Sequence, residues 1–317
     1  MLFLTFFIPI FKAVFIIFII AFLSGVLLRK NIITSQHIES LSHITVIIFL
    51  PALTFSKIIQ YFNPADFIYW WVLPLSGIVM ILTGIAITSL FYLKKLKSKR
   101  AFIAVSAFMN ANYMVLPIGK LVYSDKFDLF ATYTFLFVLG VMPMLWSVGK
   151  FMITGDDNTK FKLKSLLTPP LVANVLAVFL VLTSLNRFIP EIIIVPIDFL
   201  GQAAIPAVTL VLGAAIGGIV LKQMPPLSDV IKVISTKLFI LPALTIFILI
   251  QINLADKYPL IADLFVIQAS VAPATQIMIQ VKKYGGDIQN IGSLMFIAYV
   301  LCLLTIPSWF MVWNMIK

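Results

Sequence analysis

Asn110-Ala111-Asn112-Tyr113-Met114-Val115-Leu116-Pro117 is a polar stretch closed by proline, set inside an apolar segment, and it has an echo. Gln268-Ala269-Ser270-Val271-Ala272-Pro273 lies about 156 positions beyond Asn112 and is polar first and proline last in the same way. Working outward, Leu50-Pro51-Ala52-Leu53-Thr54 returns as Ile205-Pro206-Ala207-Val208-Thr209, offset by about 155. A proline deep in an apolar segment removes a backbone donor and crowds the carbonyl four residues earlier. A membrane tolerates this only where neighbouring protein re-satisfies the freed groups. Such interruptions at matching places in two halves of a chain point to the binding site of a carrier.

Composition places the chain in a bilayer. It is 317 residues long, 62% hydrophobic and 11% charged, whereas soluble domains carry roughly a quarter charged residues. The length supplies about ten spans of roughly 20 residues with short connections and no separate soluble domain. Apolar runs between polar breaks predict spans at 7–28, 38–61, 67–93, 101–121, 127–152, 165–185, 197–220, 232–252, 260–281 and 288–315. The stretch from Leu2 to Leu28 is interrupted by Lys12 and lacks a basic leader and small-residue cleavage site, so it reads as a retained first span.

The net charge of +11 and the run Lys94-Lys95-Leu96-Lys97-Ser98-Lys99-Arg100 suggest nucleic acid at first sight. The run follows an apolar span directly, which instead marks a cytoplasmic loop. One set of alternate loops holds Arg29, Lys30, Lys94, Lys95, Lys97, Lys99, Arg100, Lys150, Lys160, Lys162, Lys164, Lys222, Lys232, Lys282 and Lys283. The other holds Lys57, Lys120, Lys126, Arg187, Lys257 and Lys317. The asymmetry predicts the first set in the cytoplasm and both termini outside. Five spans per half make the second half enter the membrane from the opposite side. The fold class expected is therefore all-α and polytopic: ten transmembrane helices forming two inverted five-helix repeats, residues 1–153 and 154–317. Pro74 pairs with Pro242, and Pro143 with Pro307, as weaker signs of the same repeat.

Ionisable residues inside the membrane are functional suspects, and few are visible. Asp198 follows Pro196 and is expected in the first turn of span seven, complementing the helix dipole. Lys237, about one turn inside span eight, is expected to snorkel to the interface, and Lys57 and Lys12 lie near span ends. His37 and His43 flank span two without a metal-ligand partner, and the single cysteine, Cys302, excludes a disulfide and a cysteine zinc cluster. No metal or cofactor is expected.

The concentrated polarity is uncharged. Asn110, Asn112 and Tyr113 precede Pro117; Gln268 and Ser270 precede Pro273, with Thr275, Gln276 and Gln280 beyond. Both helices should break at these prolines, and each half-helix that follows aims free N–H groups at the midplane, as suits an anion. The candidate binding residues are Asn110, Asn112, Tyr113, Pro117, Ser270, Pro273, Thr275 and Gln276. Pro51, Thr54, Pro206 and Thr209 are candidates for scaffold packing or lining, helped by the small residues Gly213 to Gly218.

At these residues the chain resembles the auxin efflux carrier family, along essentially its whole length. The resemblance rests on Leu50-Pro51-Ala52-Leu53, Asn110 to Pro117, Thr168-Pro169-Pro170-Leu171-Val172-Ala173, Ile205-Pro206 to Gly213, and Ala272-Pro273-Ala274 with Tyr284 and Asp287. It implies helices four and nine crossing at their prolines and elevator-type exchange. Spans three to five and eight to ten would move against a scaffold of one, two, six and seven, with a possible homodimer through the scaffold. The fold is related to that of the sodium–bile acid symporters. Asn112 and Val115 stand where the family commonly has glycine, and Gln276 where bacterial members often have Asn, so auxin is not carried over as the substrate.

The function expected is secondary transport of a small organic anion, in the lipid bilayer of a bacterial inner membrane. A sodium-coupled symporter is the alternative, and a channel or membrane sensor a further one. No GxSG, HExxH or nucleotide-binding loop is present, so neither an enzyme nor ATP drive is expected.

Overall fold

The computed structural model describes residues 6–154, 167–219, 221 and 223–317, and among these it is helical with no strand. Lys160, Lys162, Lys164 and Lys222 of the loop comparison lie outside the described residues. Seven helices are long and apolar enough to cross a membrane: α1 (Ile8–Arg29), α2 (Ser35–Tyr61), α3 (Val72–Leu90), α6 (Ser124–Thr154), α8 (Glu191–Gly217), α9 (Leu227–Gln251) and α12 (Ile288–Ile316). The remaining segments are shorter. Span four is split into α4 (Leu96–Ala107) and α5 (Val115–Val122), span six is α7 (Pro169–Leu182), and span nine is split into α10 (Pro259–Ser270) and α11 (Gln276–Tyr284).

Local chemistry sets the helix starts. Thr34 and His37 form a capping box at α2, each side chain accepting from the other's backbone N–H, at 3.3 and 3.4 Å. Pro169 and Pro170 open α7 at positions whose N–H would have no intrahelical partner. Pro74 and Pro117 each stand third in a helix, and Pro206 third in the part of α8 that restarts at Ala204 after an interruption at Ala203, where the missing donor costs little. Pro74 and Pro242 are therefore not equivalent. Pro242 lies inside a long helix, and directly before it Thr236–Ile240 is wound as a π-helix. Pro51 is preceded in the same way by the π-helix Thr45–Phe49. Each proline cannot donate to the carbonyl four residues back, and the wider turn accommodates the loss. The carbonyl freed by Pro242, that of Leu238, accepts the Trp309 indole N–H at 2.7 Å.

The helices pack as one continuous body, in which α1 also meets α12 and α2 meets α6. α1 lies along α8, α7 along α2, and α2 also meets α8; α3 packs on α4 and α6, and α10 on α9 and α12. With lipid as solvent, close approach replaces hydrophobic driving force. A Cβ on Gly213 or Gly217 would overlap the backbone of Ala21 or Gly25, so α1 and α8 touch through backbone. A Cβ on Gly201 would come within 2.6 Å of the Leu53 backbone, which fixes α8 against α2.

Candidate functional site: the crossing of two broken helices

α4 ends at Ala107 and α10 at Ser270; beyond them Phe108 and Val271 turn to extended backbone. The two extended stretches run antiparallel past each other and bond as a short bridge between Met109 and Pro273. The Asn110 N–H donates to the Ala272 carbonyl at 2.9 Å, and the Ala274 N–H to the Phe108 carbonyl at 3.0 Å. Pro273 occupies the bridge position whose own N–H is not used, so proline fits there without loss. The break of span nine therefore contains its proline. The break of span four lies ahead of Pro117, which stands in the first turn of α5. The sequence echo is real at the level of the breaks but shifted in register.

Asn110 is fully occupied in holding the crossing. Its Nδ2 donates to the Tyr299 hydroxyl at 2.8 Å, its Oδ1 accepts the Tyr113 N–H at 3.1 Å, and the Tyr299 hydroxyl donates to the Pro273 carbonyl at 2.7 Å. Ser270 donates to the Val266 carbonyl of its own helix at 2.7 Å. These two side chains build the site. Others are free to meet a ligand. Asn112 is buried with no partner for Oδ1, and Gln268, which gives Nε2 to the Ala111 carbonyl at 3.2 Å, has none for Oε1. Thr275 donates to the Gln276 Oε1 at a long 3.4 Å. The Val115 and Gln276 N–H groups, first in α5 and α11, donate to no backbone carbonyl among the described residues. Each half-helix thus begins a few residues beyond the bridge, its positive end on that side, near the buried amide side chains. Gln276 is only 8% exposed and the rest less, so the site is closed. A cleft of about 290 Å³ opens elsewhere, at Lys97–Phe102 and Asp287–Ile291 near the start of α4.

The scaffold candidates lie apart. Pro51 and Thr54 are in α2, Pro206 and Thr209 in α8; Thr209 is tied to the Ile205 carbonyl at 2.8 Å, and among the described residues no side-chain hydrogen bond joins the four to the crossing. Tyr113 reaches α2, its hydroxyl lying toward Ser42.

Three expectations about charge are corrected. Asp198 is not in a first turn: Pro190 caps α8, which begins at Glu191, and Pro196 is inside it. Asp198 and Asp128 grip Lys57 at 2.7 and 2.9 Å, and Lys57 is buried in this ion-pair group. Lys237 does not snorkel. α9 begins at Leu227, so Lys237 lies about 15 Å along the helix axis; it is fully buried and its Nζ has no partner. Two buried carboxylates also escaped notice. Asp229 binds Lys99 at 2.7 Å and the Tyr92 hydroxyl at 2.9 Å; burial first, then this carboxylate, pushes the Tyr92 phenol well above its ordinary range. Asp263 accepts from Trp313 at 2.7 Å, Lys317 at 2.9 Å and Tyr123 at 2.9 Å.

An uncharacterized transporter of Methanocaldococcus jannaschii is 23% identical over 297 residues, which is 88% of this chain and 91% of the relative. The profile of the family described as membrane transport protein matches residues 9–158 and 157–310. With its apolar helices and its crossed, broken segments, the chain belongs to the membrane transport protein family, that of the auxin efflux carriers, and is an integral membrane transport protein rather than an enzyme.

Proposed function

We propose that the protein is a secondary carrier of small organic anions, with the substrate held at the crossing between α4–α5 and α10–α11. The observation that carries this reading is that the first N–H of each half-helix, at Val115 and Gln276, donates to no backbone carbonyl among the described residues, while the buried Asn112 and Gln268 amide oxygens beside the crossing have no partner. A carboxylate is the natural complement of such ends. The unpartnered Asn112 and Gln268 oxygens call for donors, so the substrate carries a hydroxyl or N–H group beside its charge. Thr275, Gln276 and Tyr113 complete the lining, while Asn110, Ser270, Pro273 and Pro117 shape the backbone.

The movement that fits is elevator exchange, with α3–α6 and α9–α12 sliding against α1, α2, α7 and α8 as two inverted repeats. Direct ties across that boundary include Lys57 of α2 on Asp128 of α6, the Thr132 hydroxyl of α6 donating to the Lys57 carbonyl at 3.1 Å, and the Asn174 amide of α7 donating to the Phe135 carbonyl at 2.6 Å. Purified protein in liposomes preloaded with unlabelled carboxylate tests the reading. Saturable, accelerated counterflow of labelled carboxylate is expected; linear flux would indicate a channel, and none a sensor. Exchange that requires external sodium would favour the symporter alternative, to which the same two unpartnered oxygens lend some support.

A further inference from the structure

Buried charges on this chain come in pairs, with one exception among the described residues. Lys57 has Asp128 and Asp198, Asp229 has Lys99, and Asp263 has Lys317. Lys237 has no carboxylate, and its ammonium has no hydrogen-bond partner. Its π-helical segment Thr236–Ile240 packs against α3, α4, α10 and α12, so the side chain is enclosed by the helices that carry the crossing. The facing titratable group is the Cys302 thiol of α12, which lies in electrostatic reach. Cys302 in turn meets the Ser270 carbonyl at 3.6 Å, the last residue of α10 before the break. One turn earlier on α12, Tyr299 holds Pro273 and Asn110. Lys237 thus lies on a segment packed against the helices that lead into and hold the crossing.

An unpaired ammonium in a low-dielectric interior is strongly unfavourable, and the negative end of α10 offsets only part of that cost. We propose that Lys237 is the counter-charge for the transported anion, a buried positive charge left uncompensated in the empty protein and compensated when the anion is bound. The inference rests on the crossing being the anion site, and it narrows the substrate class to anions of single negative charge. Attraction acts without direct contact, since charge–charge energy falls only as the inverse of distance.

The test uses the full-length protein in lipid nanodiscs, titrated with lactate, pyruvate and benzoate as monoanions and succinate as a dianion. Wild type is expected to bind at least one monoanion more tightly than succinate. Lys237→Met keeps the length and apolar stem but removes the charge. It should weaken the monoanion about ten- to a hundredfold while the unfolding temperature of the empty protein stays level or rises. Asn112→Ala serves as the independent probe of the crossing. If Asn112→Ala weakens binding and Lys237→Met does not, or if succinate binds best, the counter-charge inference is overturned and the site stands. Binding of no member of the panel, or indifference to Asn112→Ala, overturns the site and this inference with it. A lowered unfolding temperature with unchanged affinity in Lys237→Met would show a purely structural lysine.

Discussion

Asn110 and Asn112 are two positions apart and have separate tasks. The first has every polar atom engaged in tying Tyr113, Tyr299 and Pro273 together. The second has a buried amide oxygen with no partner. Asn110→Ala strands the Tyr113 N–H and leaves the Tyr299 hydroxyl only its bond to Pro273, so it is expected to destabilise the fold by about 1–3 kcal/mol, seen as a lowered unfolding temperature. A temperature equal to wild type would contradict the clamp. From the sequence the two residues look alike, since nothing in an apolar α12 marks Tyr299 as Asn110's partner. The Lys57 group teaches the same lesson. Asp198→Ala leaves a buried ammonium with one carboxylate fewer, a loss toward the lower end of roughly 3–5 kcal/mol, measured by thermal unfolding. Lys57→Met in the same background should recover part of it, and no recovery would show that the cost is not electrostatic. The residues involved are far apart in sequence and belong to three helices, which is why the pairing was not legible.

Prolines decide the behaviour of whole elements, and their position in the helix matters more than their number. Pro273 lies within a break and Pro117 begins the half-helix after one, whereas Pro74 stands harmlessly in a first turn. Alanine at Pro273 restores a donor and permits α10 and α11 to join, withdrawing the free amides from the crossing. Uptake at matched protein levels is expected to fall most for Pro273→Ala, less for Pro117→Ala and least for Pro74→Ala. Equal uptake in the three would place the substrate elsewhere. Pro242→Ala should relax the π-helix around Lys237 and fall between. The polar runs ahead of proline made both breaks readable in the sequence. Their register was not, because backbone bridging between Met109 and Pro273 is settled by partners in the other half of the chain. The start of α9 was missed for a related reason: the polar turn Leu227–Ser235 is helical because Asp229 finds Lys99 and Tyr92.

For the whole molecule, hydropathy carries most of the information, since a bilayer admits few alternatives to helices. The long helices and the locations of the shorter ones follow the apolar runs, and the family follows from the motifs. Topology is the next step. A cysteine near Lys97 should be shielded from an impermeant thiol reagent in intact cells and one near Lys126 labelled; equal labelling would refute the inverted arrangement. The central claim is that an organic anion is exchanged at the crossing, and counterflow in liposomes tests it most directly. Wild type should show saturable exchange of a small carboxylate. Asn112→Ala and Gln276→Ala should each raise the half-saturating concentration about ten- to a hundredfold, the worth of one hydrogen bond to a charged ligand. Saturable exchange unchanged in both variants, or no exchange in wild type, would contradict the account.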